Sequence, residues 1–204
     1  MKIKRLVLGT RNPGKLAEWQ TILIDVLPIT INSVAEFGEV VDPIETGTTF
    51  EENARQKASD YAQQIGEYVW ADDGGYEIEI LGGWPGVKSR RILPGDKEGT
   101  DQDLIDSVLK RLTDVPEYKR GVKLTVAVAL ANADGKIIYE DKESFGGLVT
   151  QTVGPVIIPG YPFRSIHWIP ELKKTYAELT EAEHRQYSHK RRIAGRLREF
   201  LVKY

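Results

Sequence analysis

Four groups of side chains in this sequence have the means to handle a polyphosphate and a hard metal ion. Thr10, Asn12 and Lys15 surround the turn Gly9-Thr10-Arg11-Asn12-Pro13-Gly14. They offer a hydroxyl, a carboxamide and an ammonium just before a helix, and strand, polar turn, helix is a common anion-cradling order. The Walker A spacing is absent, and an ordinary strand-to-helix turn would carry the same residues. Asp72 and Asp73 follow a short apolar stretch. Adjacent carboxylates repel unless a cation or proton intervenes. With Glu45 they make a set of hard oxygen donors that suits Mg²⁺, water and phosphate oxygens completing its shell. Isolated, Asp72-Asp73-Gly74-Gly75 also reads as a solvated acidic turn. The last group is the stretch 175–192.

These groups need elements to hold them. Residues 3–8 read as a buried first strand. A helix over 13–27 follows, with Pro13 in its first turn and Leu16, Trp19, Ile22, Leu23 and Val26 at helical spacing. A short strand near 29–31 precedes a loop through Glu45. Thr48 or Thr49 then caps a helix over 49–65, with Glu51 and Glu52 in its first turn. On that helix Phe50, Ala54, Ala58, Tyr61 and Ile65 form an apolar stripe. Asn53 and Lys57 fall on its border, away from the solvated face of Glu52, Gln56 and Ser59. From there Lys57 either points into a cleft or lays its stem along the core edge. A strand over 68–71 runs into the two aspartates, and 76–81 continues it beyond the glycines. Gly82-Gly83-Trp84-Pro85-Gly86 reads as a tight loop. A helix over 101–112, a hairpin of 122–130 with 136–139, a strand near 145–150 and one final helix over 180–204 complete the chain. His189 sits on the apolar face of that last helix, where it serves either a core or a ligand. The pattern predicts a mixed α/β fold, an elongated central sheet flanked by helices with a cleft between two lobes. Residues 1–204 would act as one domain with no separate linker.

Bulk properties narrow the partners. The chain has 204 residues, enough to bury roughly 70% of the surface its unfolded form exposes. Lys and Arg total 28 against 30 Asp and Glu, a net charge of −2, which argues against a nucleic-acid coat or a polybasic membrane anchor. The absence of cysteine excludes a disulfide framework, a thiolate zinc site and a thiol nucleophile. Three histidines make a zinc enzyme a poor fit. The basic start at Met1-Lys2 leads into an apolar stretch far shorter than a signal peptide's core, and no apolar run is long enough to span a bilayer. We expect a soluble cytoplasmic protein without nucleic-acid or membrane partners.

In combination these motifs resemble the inosine triphosphate pyrophosphatases. The resemblance rests on 8–18 around Thr10, Asn12, Lys15 and Glu18, on 45–54 with Lys57-Ala58, on 71–75 and 81–87, and on 174–179 with Ser188-His189. They follow in order over nearly the whole chain. The resemblance implies Mg²⁺-dependent hydrolysis of a nucleoside triphosphate between its α- and β-phosphates, giving monophosphate and pyrophosphate. It implies that Thr10, Asn12 and Lys15 hold the triphosphate with help from Lys57 and Arg90 or Arg91. Glu45 and Asp73 would bind metal, and Asp73 would accept a proton from the attacking water with Asp72 in support. It also implies a homodimer.

The base side departs from the family pattern. The loop that usually reads Phe-Gly-aromatic-Asp is Tyr161-Pro162-Phe163-Arg164 here, a lysine expected before Ser188-His189 is His184, the arginine after the pair is Lys190, and Gly74 replaces a common serine. Tyr161 or Phe163 can still stack on a base, and Arg164 or Lys190 can donate to the O6 and N7 acceptors of guanine, hypoxanthine and xanthine. His184, Ser188, His189 and Gly74 complete the expected substrate contacts. The expected substrates are therefore ITP, dITP and XTP. The altered base side leaves open the same reaction on another base, or a silent nucleotide-binding protein.

Overall fold

The structure is a computed structural model and describes residues 3–204, so the Met1-Lys2 start lies outside the described residues. In chain order its elements are β1 (Arg5–Leu8), α1 (Pro13–Val26), β2 (Thr30–Ser33), α2 (Phe50–Ile65), β3 (Val69–Ile78), β4 (Trp84–Gly86) and α3 (Asp101–Arg111), then β5 (Gly121–Ala131), β6 (Ile137–Val149), β7 (His167–Ile169), β8 (Lys174–Thr175), α4 (Glu181–Tyr187) and α5 (His189–Lys203). The strands neighbour one another in the order β2-β1-β3-β5-β6-β7-β8, and β4 pairs with β3. The α/β class is as the alternating pattern predicts.

Two compact units are present. Residues up to Gly74, Val126–Glu143 and His189–Tyr204 make the first, and Gly75–Thr125 with Ser144–Ser188 make the second. In the first, β1 runs parallel to both β2 and β3, the arrangement that helical crossovers such as α1 and α2 permit. Its core joins Leu6, Leu8 and Trp70 of the strands to Trp19, Ile22 and Leu23 of α1 and Ile193, Leu197 and Leu201 of α5. Trp19 meets Trp70 edge to face at 5.3 Å. In the second unit Tyr76 and Ile78 pack with Leu104, Ile105 and Val108 of α3, with Val149, and with Phe163 and Ile166.

Four local expectations are corrected. β3 is one continuous ten-residue strand, so Asp72-Asp73-Gly74-Gly75 lies inside it and not in a turn. Backbone pairing overrides the turn chemistry of these residues. Residues 79–81 form a 3₁₀ turn closed at Gly82, whose φ of 65° suits glycine. β6 is likewise one strand where two segments were expected. The final helix is broken: Ser188 is extended, with φ −62° and ψ 119°, and its N–H donates to the His184 carbonyl to end α4. α5 then restarts at His189.

Candidate active site

The anion-cradling turn is built by its own side chains. Asn12 caps α1, its side-chain oxygen accepting the Lys15 N–H at 3.1 Å, while Thr10 Oγ1 accepts the Asn12 N–H at 3.2 Å. Pro13 at the first helical position has no N–H to leave unsatisfied. Gly9 precedes the turn because a Cβ there would lie 2.9 Å from both Tyr61 and Val69. This packing sets the start of α1, and Lys15 extends from its first turn to Asp72, Nζ to Oδ2 at 3.1 Å.

The straight path of β3 separates the two aspartates, since successive side chains of a strand point to opposite faces. Asp72 is buried and sits with Lys15. Burial opposes its charge, but Lys15, Lys190 and Lys57 outweigh that and hold its pKa below the ordinary carboxylate value. Burial works against the Lys15 ammonium too, yet Asp72, Asp73 and Glu45 raise its pKa overall. Asp73 behaves otherwise. Burial dominates and raises its proton affinity, in spite of Lys57, Lys15 and a hydrogen bond from Asn53, with Glu45 adding to the rise. Burial and neighbouring charges thus push the two chain neighbours in opposite directions.

Lys57 joins Glu45 to Asp73. Its Nζ lies 3.1 Å from Glu45 Oε1 and 3.8 Å from Asp73 Oδ1. Thr49 caps α2 in a box with Glu52, which resolves the alternative of Thr48 or Thr49. Thr48 instead donates its N–H and hydroxyl to the same Glu52 carboxylate at 2.7 and 2.9 Å. Lys57 points towards the acids and not merely along the core edge. Gln56 does not lie on a purely solvated face: its Oε1 accepts from the Thr46 N–H at 3.3 Å.

Glu45 and Asp73 offer hard carboxylate oxygens on either side of the Lys57 ammonium. Among the described residues no group of three or more His, Cys, Asp or Glu forms a metal cage. Mg²⁺ needs no such cage, since one or two carboxylates with water and phosphate oxygens satisfy it. The donor set fits that ion.

Lys190 lies in this unit as well. It is buried, its Nζ is 2.7 Å from Glu18 Oε2 and 5.1 Å from the Trp19 ring centroid. Its neighbour His189 is also buried and begins α5. Gly74 is half-buried within β3.

The second unit gathers most of the base-side residues. The Arg164 guanidinium, buried despite its charge, stacks 3.7 Å over the Tyr161 ring and lies 5.3 Å from that of Tyr176. His184 meets Tyr176 edge to face at 5.2 Å. Phe163 is turned into the core, stacked on Tyr76 at 4.8 Å. Ser188 is buried at the end of α4. Arg90 and Arg91 are exposed, and Arg90 pairs with Asp101 at 2.8 Å.

Two participants were not among the expected site residues. Asn53, 2% exposed, donates to Asp73 Oδ2 at 2.9 Å, and its place beside Lys57 on the stripe border was the available signal. Glu18 was visible only within a motif, because its partner Lys190 stands 172 positions away.

The Ham1 family model matches residues 6–200. A protein of Shouchella clausii named dITP/XTP pyrophosphatase is 36% identical over 199 residues, covering 98% of this chain and 97% of the relative. One of Synechocystis with the same name is 35% identical, covering 94% and 92%. Among solved structures, a HAM1 protein from Coxiella burnetii superposes with a TM-score of 0.85 at 31% identity, covering 99% of this chain and all of that one. A nucleoside-triphosphatase / dITP/XTP pyrophosphatase from Mycobacterium abscessus gives 0.74 at 28% identity, covering 95% and 98%.

Proposed function

The chain belongs to the Ham1 family, and from that premise we propose that it hydrolyses deaminated purine nucleoside triphosphates such as ITP, dITP and XTP. The products are the monophosphate and pyrophosphate. The observation that carries this reading is the paired arrangement of Asp72 with Lys15 and Asp73 with Lys57 and Glu45.

Phosphoryl chemistry asks a protein mainly for positioning, charge neutralisation and an oriented water. Lys15 and Lys57, each held 3.1 Å from a carboxylate, are positioned for the triphosphate, with the Thr10 and Asn12 turn beside them and Arg90 and Arg91 in support. Glu45 and Asp73 would hold Mg²⁺, which when bound would neutralise phosphate charge and make a bound water more acidic. Asp73 accepts the proton from the attacking water, the role that the family resemblance assigns to it. Asp72 stays ionised and keeps Lys15 in place.

Base selection belongs to Tyr161 and Arg164, with His184, Ser188, His189 and Lys190 as further contacts. Phe163 is engaged with Tyr76, so Tyr161 is the ring assigned to stacking. A guanidinium only donates, which suits the O6 and N7 acceptors of 6-oxopurines and opposes the amino group of adenine. The working species is a homodimer, a choice that rests on the family resemblance. Comparing kcat/KM for ITP, XTP, GTP, ATP and pyrimidine triphosphates tests the assignment. Highest values are expected for ITP and XTP, and a higher value for ATP or a pyrimidine triphosphate overturns it.

A further inference from the structure

The segment that carries Glu45 has no regular structure from residue 40 to 47. It is a strap held to α2 by a line of side chains. Gln64 brackets Val41, accepting from its N–H and donating to its carbonyl, both at 2.9 Å. Tyr61 donates to Asp42 at 2.8 Å. Gln56 accepts from Thr46, and Asn53 Oδ1 accepts from the Gly47 N–H at 2.8 Å. Positions 53, 56, 61 and 64 all belong to α2, which therefore holds most of the strap, while Arg11 from the turn before α1 donates to Asp42 at 2.5 Å and to the Val40 carbonyl at 2.6 Å.

Asn53 differs from the others in where its second hydrogen bond goes. Its Nδ2 donates to Asp73 Oδ2, whereas Gln56 and Gln64 spend both bonds on the strap itself. With an N–H on one side and a carboxylate on the other, only one amide orientation satisfies both partners. Gly47 closes the joint: a Cβ there would lie 2.6 Å from Asn53 Oδ1 and 2.7 Å from the Glu52 Cβ. Any larger residue must push the strap away from α2. Glu45 is two residues from that contact.

We infer that Asn53 is a positioning residue that joins the Glu45 strap to Asp73 and so sets the spacing of the two carboxylates for a divalent cation. The inference rests on the metal assignment made above. Asn53 touches neither substrate nor cation in this scheme; it acts through Asp73 and Gly47. Loss of a partner that orients a metal ligand typically weakens metal affinity about 10- to 100-fold.

The test is Mn²⁺ binding to the nucleotide-free full chain by electron paramagnetic resonance, for wild type, Asn53→Ala, Gly47→Ala and the double variant. Melting temperature and pyrophosphate release are followed in parallel. Each single variant is expected to bind Mn²⁺ about 10- to 100-fold more weakly, and the double variant no more weakly than the worse single, because both break one joint. A purely structural role lowers the melting temperature without changing Mn²⁺ affinity. Wild-type affinity in either folded single variant overturns the inference while leaving the metal assignment intact. Absence of Mn²⁺ binding by the wild type overturns the assignment, and the inference with it.

Discussion

Replacing Asp73 with Asn keeps the side chain's size and an oxygen for Asn53 to donate to, but removes the negative charge. Turnover of ITP should fall by about 10²- to 10⁴-fold, the range for loss of a general base, with little change in melting temperature. Retained kcat would contradict the role given to Asp73. Asp72 predicts a different result. Lys15→Met leaves a buried carboxylate without its 3.1 Å partner, which should lower unfolding free energy by about 3 kcal/mol. Adding Asp72→Asn should restore much of it, since the stranded charge is gone; urea titrations that show no recovery would count against the pairing. At this scale the acids, lysines and Thr10-Asn12 turn were legible as residue types. Their division of labour came from the family resemblance and not from residue type. Asp72 and Asp73 look equivalent in sequence, and only the straight course of β3 sends one to Lys15 and the other to Lys57.

Among the elements, α1 and α2 were readable because each combines an apolar period with a cap: Asn12 before Pro13, and Thr49 with Glu52. The C-terminal break was hidden. A Thr180 and Glu183 box and an apolar run to Leu201 suggest one helix, yet Ser188 takes extended backbone between α4 and α5. Tertiary packing outweighs local propensity there. If the two helices are separate cooperative segments, Thr180→Ala should cost about 1 kcal/mol and speed amide exchange in α4 while leaving α5 protected. Equal acceleration in both would contradict that separation. The strap at 40–47 had no period to read, because its order comes from side chains of α2 and from Arg11.

For the whole molecule, a net charge of −2 conceals a local assembly of Lys15, Lys57 and Lys190 with Glu18, Glu45, Asp72 and Asp73. Composition excluded broad polyanion binding but had no means to locate that assembly, which depends on partners far apart in the chain. The other global property is acid sensitivity. Burial lowers the pKa of His167 to about 4, and neither ring nitrogen has a hydrogen-bond partner among the described residues to offset it. The unfolded chain therefore binds the proton first, and stability falls as pH drops from about 6.5 towards 4. Between pH 6.5 and 5 this one residue should account for about 1.5 kcal/mol, read from urea unfolding at each pH. His167→Gln should flatten that interval; an unchanged slope would show that other groups cause it.

The α–β bond is the central commitment of the account, and product identity tests it most directly. With ITP and saturating Mg²⁺, IMP and pyrophosphate should form in equal amounts, with no IDP at any time point. Release of orthophosphate together with IDP would contradict it.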